Sequence, residues 1–127
     1  IRLKIENDPP EIRFDPDQLQ QILWNLLHNA KKHGKPFAGA LEIDMRCLDS
    51  GTLNEVIISV CDNGQPLDSD EENRLFDPFY STNLSGVGLG LYIAHELCRK
   101  NGARLDYVRE DNLNCFRIHC PAAGDND

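Results

Sequence analysis

Hydrophobic and polar positions follow several different periods along this chain. Residues 2–6 alternate weakly and read as an edge strand, closed by Asn7-Asp8-Pro9-Pro10. Asp15 then offers an N-cap, Pro16 suits the first helical position, and Gln18 is placed to complete a capping box. Leu19, Ile22, Leu23, Leu26, Leu27 and Ala30 recur at helical spacing and make one continuous apolar face, ended by Gly34 and Pro36. Residues 41–48 alternate through Leu41, Ile43, Met45 and Cys47, and an apolar run follows at 56–61. Together they predict two strands joined at Asp49-Ser50-Gly51.

Residues 69–76 predict a short acidic helix. A second helix is expected over 91–100, opened by the glycines of 86–90 and stopped by Asn101-Gly102. Residues 104–108 and 115–119 read as a final hairpin turned at Glu110-Asp111-Asn112. This order predicts an α/β (α+β) two-layer sandwich, a mixed but mostly antiparallel sheet covered on one face by about three helices.

The length of 127 residues suits one domain. A net charge of −8 argues against a nucleic-acid partner, which needs clustered Lys and Arg. No apolar run has a membrane-spanning length, so a membrane link would run only through other parts of a parent protein, of which this chain reads as an excised piece. The cysteines (Cys47, Cys61, Cys98, Cys115, Cys120) are odd in number and form no C-x-x-C pair. Buried free thiols in a reducing cytoplasm are therefore expected rather than disulfides or zinc.

Four local patterns carry candidate chemistry. On the first helix Asn25, Asn29, Lys32 and His33 form a polar stripe flanking the apolar face. An amide oxygen there suits Mg²⁺, and Lys32 suits phosphate; an ordinary solvated face would show the same stripe. Asp62-Asn63-Gly64 follows an apolar strand, where a carboxylate can accept from an exocyclic amine, yet the triplet is also a good turn. Phe76-Asp77-Pro78-Phe79 reads as the anchor of a lid or as a pinned loop. Gly86, Gly88 and Gly90 precede a helix N-terminus, an arrangement that can wrap an anion but is neither a Walker loop nor a dinucleotide fingerprint.

In this order and spacing the four patterns resemble the asparagine, first glycine, phenylalanine and second glycine boxes of sensor histidine kinases, from about residue 15 to 121. The segment Leu91-Tyr92-Ile93-Ala94-His95-Glu96-Leu97-Cys98, with Trp24 beside Asn25, looks most like the nitrogen-regulation and type IV pilus branch. The resemblance implies that residues 1–127 form the catalytic, ATP-binding domain of such a kinase, with the Bergerat-type fold shared with type II topoisomerases and heat-shock chaperones. It implies ATP and Mg²⁺ as cofactors. Asn29 becomes the Mg²⁺ ligand, Asn25 and Lys32 the catalytic positions, His33 the ring beside adenine, and Asp62 with Gly64 the adenine reader. Gly86, Gly88 and Gly90 match the phosphate-side glycines, and Phe79, Leu89 and Leu91 also fall at nucleotide-contacting positions. The implied partners are a dimerisation and phosphoacceptor domain of the same protein, homodimeric in full length, and a downstream response regulator. The implied location is the cytoplasm.

Asn25 stands where the hydrolytic relatives carry glutamate, and an amide is no general base near neutrality. That favours transfer to histidine over an ATP-hydrolysing switch. Pro66 replaces the second glycine of the usual Asp-x-Gly-x-Gly, and no Lys or Arg occurs from Leu75 to Leu91, which keeps a non-catalytic nucleotide sensor as the other alternative. Arg74 is the nearest extra cation for phosphate. His95 lacks the following proline and long helix of an acceptor histidine, and His28 and His119 read as ordinary surface or sheet residues.

Overall fold

The computed structural model describes residues 2–5, 11–33, 43–49, 55–80 and 89–122, with 2–5, 32–33 and 43–49 described as backbone. The first helix, α1 (Pro16–His33), starts as its sequence dictates. Asp15 Oδ1 accepts from the backbone N–H groups of Asp17 and Gln18 at 2.9 and 3.0 Å. Gln18 does not close the expected capping box. The Asp15 N–H instead donates to Asn101 Oδ1 at 2.9 Å, while Gln18 Oε1 accepts from Asn101 Nδ2 at 2.7 Å. A residue brought in by tertiary packing outcompetes the local partner. Along α1, Ile22, Leu26 and Ala30 are buried, with Leu19, Leu23 and Leu27 packed at the edges of the same cluster.

Five strands form one sheet in the order β1-β2-β3-β5-β4: β1 (Arg2–Ile5), β2 (Ile43–Asp49), β3 (Glu55–Asp62), β4 (Arg104–Glu110) and β5 (Leu113–Pro121). Edge strand β1 runs parallel to β2, and every other pairing is antiparallel. Both hairpin strands run longer than their hydrophobic pattern suggests, because Asp111 and Asn112 alone make the turn, with φ of 52° and 62°. Two successive left-handed residues match the twist of flanking strands, and Asp and Asn tolerate that region. Residues 50–54, with most of the expected β2–β3 turn, lie outside the described residues, as do Gly34 and Pro36.

Of two further helices, α2 (Ser69–Arg74) buries no residue of its own and is tied to the core by its flanking Leu67, Leu75 and Phe76, whereas α3 (Gly90–Lys100) covers the same face as α1. The acidic α2 has a reciprocal capping box between Asp68 and Glu71. The other, α3, buries Ala94 and Cys98 and ends in a Schellman motif: Ala103 N–H donates to Cys98 O at 2.8 Å, and Gly102, at φ 70°, donates to Arg99 O at 3.1 Å. Alternation along the strands sends Ile58, Val60, Leu105, Phe116, Ile118 and Cys120 into the core beneath the helices. No helix of the described residues is long and apolar enough to cross a membrane.

The thiol expectation fails for one pair. Cys61 and Cys115 sit directly opposite on β3 and β5, Cα atoms 4.1 Å apart, and are joined as a disulfide. Antiparallel register made that pairing; nothing in the local spacing of either cysteine announces it. Cys98 and Cys120 are buried and free, and burial pushes the Cys98 thiol up to about 12.

On the face away from the helices, Arg117 makes a bidentate pair with Asp106 at 2.8 and 2.9 Å. His119, buried between them and the neighbouring strand, lies 3.0 Å from Asp106 and 3.2 Å from Glu55. Desolvation raises the Asp106 carboxyl, but the Arg117 hydrogen bonds and the charges of His119 and Arg117 outweigh it and hold it below 3.8. A depressed carboxylate contributes stability that is complete above its unfolded value and disappears as pH falls through the folded one. Asp106→Asn is expected to cost about 1–2 kcal/mol at pH 7 in urea unfolding and to flatten the acid limb of the stability profile. An unchanged midpoint and acid limb would show that this network adds nothing to stability.

Candidate functional site

The last residue of β3 is the key to the site. Asp62 follows Ile58 and Val60 on the helix-facing side of the strand, so alternation buries its carboxylate, leaving it 4% exposed. Its Oδ1 accepts from the Gly64 N–H at 2.9 Å, closing a local turn, and from Asn114 Nδ2 at 3.4 Å. Oδ2 takes no hydrogen bond from the described residues. Desolvation pushes the carboxyl above 3.8, against the opposing pull of the Gly64 and Asn114 hydrogen bonds and the Arg109 charge. A buried acceptor with one oxygen already occupied is suited to a single neutral donor, such as an exocyclic amine.

Three residues that hold this turn escape a sequence reading. Asn114, 5% exposed on β5, donates from Nδ2 to Gln65 O at 2.8 Å, and its Oδ1 accepts from Tyr107 Oη at 2.7 Å and Arg109 Nη1 at 3.1 Å. Arg109 Nη1 also donates to Gly64 O at 2.9 Å. The available signal was phase: Asn114 is the one polar member of the core-facing series with Phe116, Ile118 and Cys120. These contacts grip residues 64 and 65 from the side, so Pro66 at the usual glycine position leaves the turn held.

On α1, Asn25 Nδ2 donates to Gly90 O at 3.3 Å, bringing the asparagine stripe to the first residue of α3. Asn29, one turn further, is half-buried, and no described residue hydrogen-bonds its side chain. Lys32 and His33 continue the helix, and their side chains lie outside the description. The start of α3 differs from those of α1 and α2. Leu89 provides no side-chain cap, so among the described residues no side chain satisfies the first-turn N–H groups at the positive end of the helix dipole. A Cβ added at Gly90 would meet nothing within 4 Å, so packing inside the protein does not require glycine there. Leu89 and Leu91 are half-buried, and Leu91 packs on the core. Gly86 and Gly88 lie outside the described residues.

The two phenylalanines of the central segment divide their work. Phe76 stacks on His95 at 5.0 Å and meets Phe116 edge-on at 6.5 Å, which anchors the segment and makes His95 a packing residue. Phe79 is 74% exposed at φ 67°, held outward. Arg74, the extra phosphate candidate, is engaged by Asp70 at 3.6 Å and by the Tyr80 ring at 5.8 Å. Trp24 is 67% exposed and stacks on His28, apart from the site.

Residues 14–124 match the family of histidine kinase-, DNA gyrase B- and HSP90-like ATPases. The chain is 38% identical over 93% of its length to the sensor protein kinase PilS of Pseudomonas aeruginosa, and 31% identical over 95% to the sensory histidine kinase/phosphatase NtrB of Klebsiella oxytoca. It spans 22% and 37% of those relatives. Among solved structures, the catalytic domain of histidine kinase ThkA superimposes with a TM-score of 0.79 at 24% identity, over 94% of this chain and 76% of that one. Full-length ShkA in complex with AMPPNP gives 0.79 at 28%, over 96% of this chain and 25% of that one.

The geometry makes a direct prediction for Asp62. Its carboxyl carbon, followed by NMR against pH, should titrate with a midpoint above 3.8. Because the folded value is raised, this group lowers stability as pH rises through that window, opposite in sign to Asp106. A midpoint at or below 3.8 would show that the Gly64 and Asn114 hydrogen bonds and the Arg109 charge outweigh desolvation there.

Proposed function

Because this chain belongs to the histidine kinase-, DNA gyrase B- and HSP90-like ATPase family, we propose that it is the ATP-binding catalytic domain of a two-component sensor kinase, transferring the γ-phosphate of ATP to a histidine on a separate dimerisation and phosphoacceptor domain. The observation that carries this reading is the buried Asp62 carboxylate, braced on Oδ1 and with no hydrogen bond to Oδ2 from the described residues, in a fold where Leu89 gives the α3 N-terminus no side-chain cap. Asp62 Oδ2 accepts from the 6-amino group of adenine, and Gly64 lets the base lie close. The first-turn N–H groups of α3, with Gly86, Gly88 and Gly90, receive phosphate oxygens without help from cations, consistent with a chain of net charge −8. Phe79, Leu89 and Leu91 border the nucleotide, and His33 flanks the base.

The half-buried Asn29 amide, which no described residue hydrogen-bonds, would suit a hard divalent cation. Asn29 would hold Mg²⁺ there, which would supply charge neutralisation at the phosphates. Asn25, tied to Gly90, orients the phosphate end, and Lys32 adds a point charge. The bond from the γ-phosphorus to its bridging oxygen breaks, a bond to an imidazole nitrogen of the acceptor forms, and ADP leaves. Positioning supplies most of the acceleration, since no general base stands at position 25. A response regulator then receives the phosphoryl group, and the domain works in the cytoplasm, where ATP is supplied.

The chain alone is expected to bind ATP with Mg²⁺, to release almost no phosphate, and to remain unlabelled by radioactive γ-ATP. Adding a histidine-containing dimerisation domain from a kinase of this class should produce acid-labile label on the added domain. Asn29→Ala should abolish most of the Mg²⁺-dependent part of binding and spare the remainder. Rapid phosphate release by the wild type would favour an ATPase switch, whereas binding without any transfer would favour a nucleotide sensor.

A further inference from the structure

Asparagine has two nearly isosteric ends, and its neighbours decide which end faces where. For Asn114 the neighbours leave one choice. Its Oδ1 lies between Arg109 Nη1, which can only donate, and Tyr107 Oη, which donates to it at 2.7 Å. Its Nδ2 lies between two acceptors, Gln65 O and Asp62 Oδ1. Turning the amide over would set an oxygen against a carboxylate and a carbonyl, and an amino group against a guanidinium.

We propose that Arg109 and Tyr107 are positioning residues that lock the Asn114 amide in one orientation, so that Asp62 Oδ1 stays occupied and Oδ2 alone is presented to the base. The lock makes these two β4 residues determinants of adenine over guanine selectivity. This rests on the nucleotide-binding reading above, though the lock itself exists without ligand. One Arg109 nitrogen reaches both Gly64 O and Asn114 Oδ1, coupling the path of the turn to the direction of the amide. Once the lock is lost, the amide is free to turn, Asp62 Oδ1 loses its Asn114 donor and meets the amide oxygen instead, and Oδ2 is no longer the one oxygen presented to the base. Selectivity then falls by loss of the fixed acceptor meant for adenine.

Calorimetric titration of the 127-residue chain with Mg²⁺ATP and Mg²⁺GTP tests the idea on Arg109→Gln, Arg109→Lys and Tyr107→Phe. Arg109→Gln and Tyr107→Phe should each lower the ATP-to-GTP affinity ratio by about three- to tenfold, the effect of one hydrogen bond. Arg109→Lys should recover much of the loss, and circular dichroism should show all three folded. Without nucleotide, the Asn114 side-chain amide protons should give one sharp pair of resonances that follows the Asp62 titration, broadened in Arg109→Gln. An unchanged affinity ratio in both disrupting variants overturns the selectivity role. Should the wild type bind neither nucleotide, the ATP reading fails by itself, and the resonances decide the lock: a pair indifferent to Asp62 and to Arg109→Gln overturns it.

Discussion

The antiparallel register of β3 against β5 is the constraint on which this molecule depends. It sets Asp62 opposite Asn114, Cys61 opposite Cys115 and Val60 opposite Phe116. Alternation then assigns consecutive residues to different tasks. Val60 and Phe116 fill the core, Asp62 and Asn114 form a polar end to that same face, and the cysteines join on the other side. A slip of one residue would carry Asp62 to the face of Asp106 and Arg117, away from the helices and from Asn114. The apolar residues that resist such a slip therefore also hold the buried carboxylate in place.

Two asparagines do a comparable job for the helices. Asn101, at the end of α3, ties itself to Asp15 and Gln18 at the start of α1, while Asn25 reaches from α1 to Gly90 at the start of α3. The pair is thereby fixed antiparallel. Since α1 continues for eight residues after Asn25, about 12 Å of helix, the positions Asn29, Lys32 and His33 run past the α3 N-terminus. Through this offset the stripe lies where the proposed site needs one of its walls.

The charge balance acquires a physical meaning in this frame. A chain of net charge −8 is a poor attractor of anions at long range. Short-range, oriented donors do not share that weakness. In the proposed site, the first turn of α3 and a divalent cation at Asn29 would act locally, where oriented N–H groups and metal ions hold phosphate more strongly than diffuse surface lysines. Asp62 supplies the complementary feature at the other end, an acceptor whose desolvation makes one hydrogen bond count.

The sequence by itself determined everything governed by neighbours within about one helical turn: the Asp15 cap, the apolar face of α1, the Asp68 start of α2, the Gly102 stop and the Asp111-Asn112 turn. It also determined the order of candidate boxes, and hence the family, because those spacings are linear properties of the chain. Tertiary structure decided which partner wins where several are chemically equivalent. Asn101 displaced Gln18 at the α1 cap, Cys61 found Cys115 across 54 residues, and Asn114 met Asp62 across 52. It also separated Phe76, an anchor under His95, from Phe79, turned outward. Such choices rest on strand register and helix offset. The whole core sets both at once, so no local window of residues contains them.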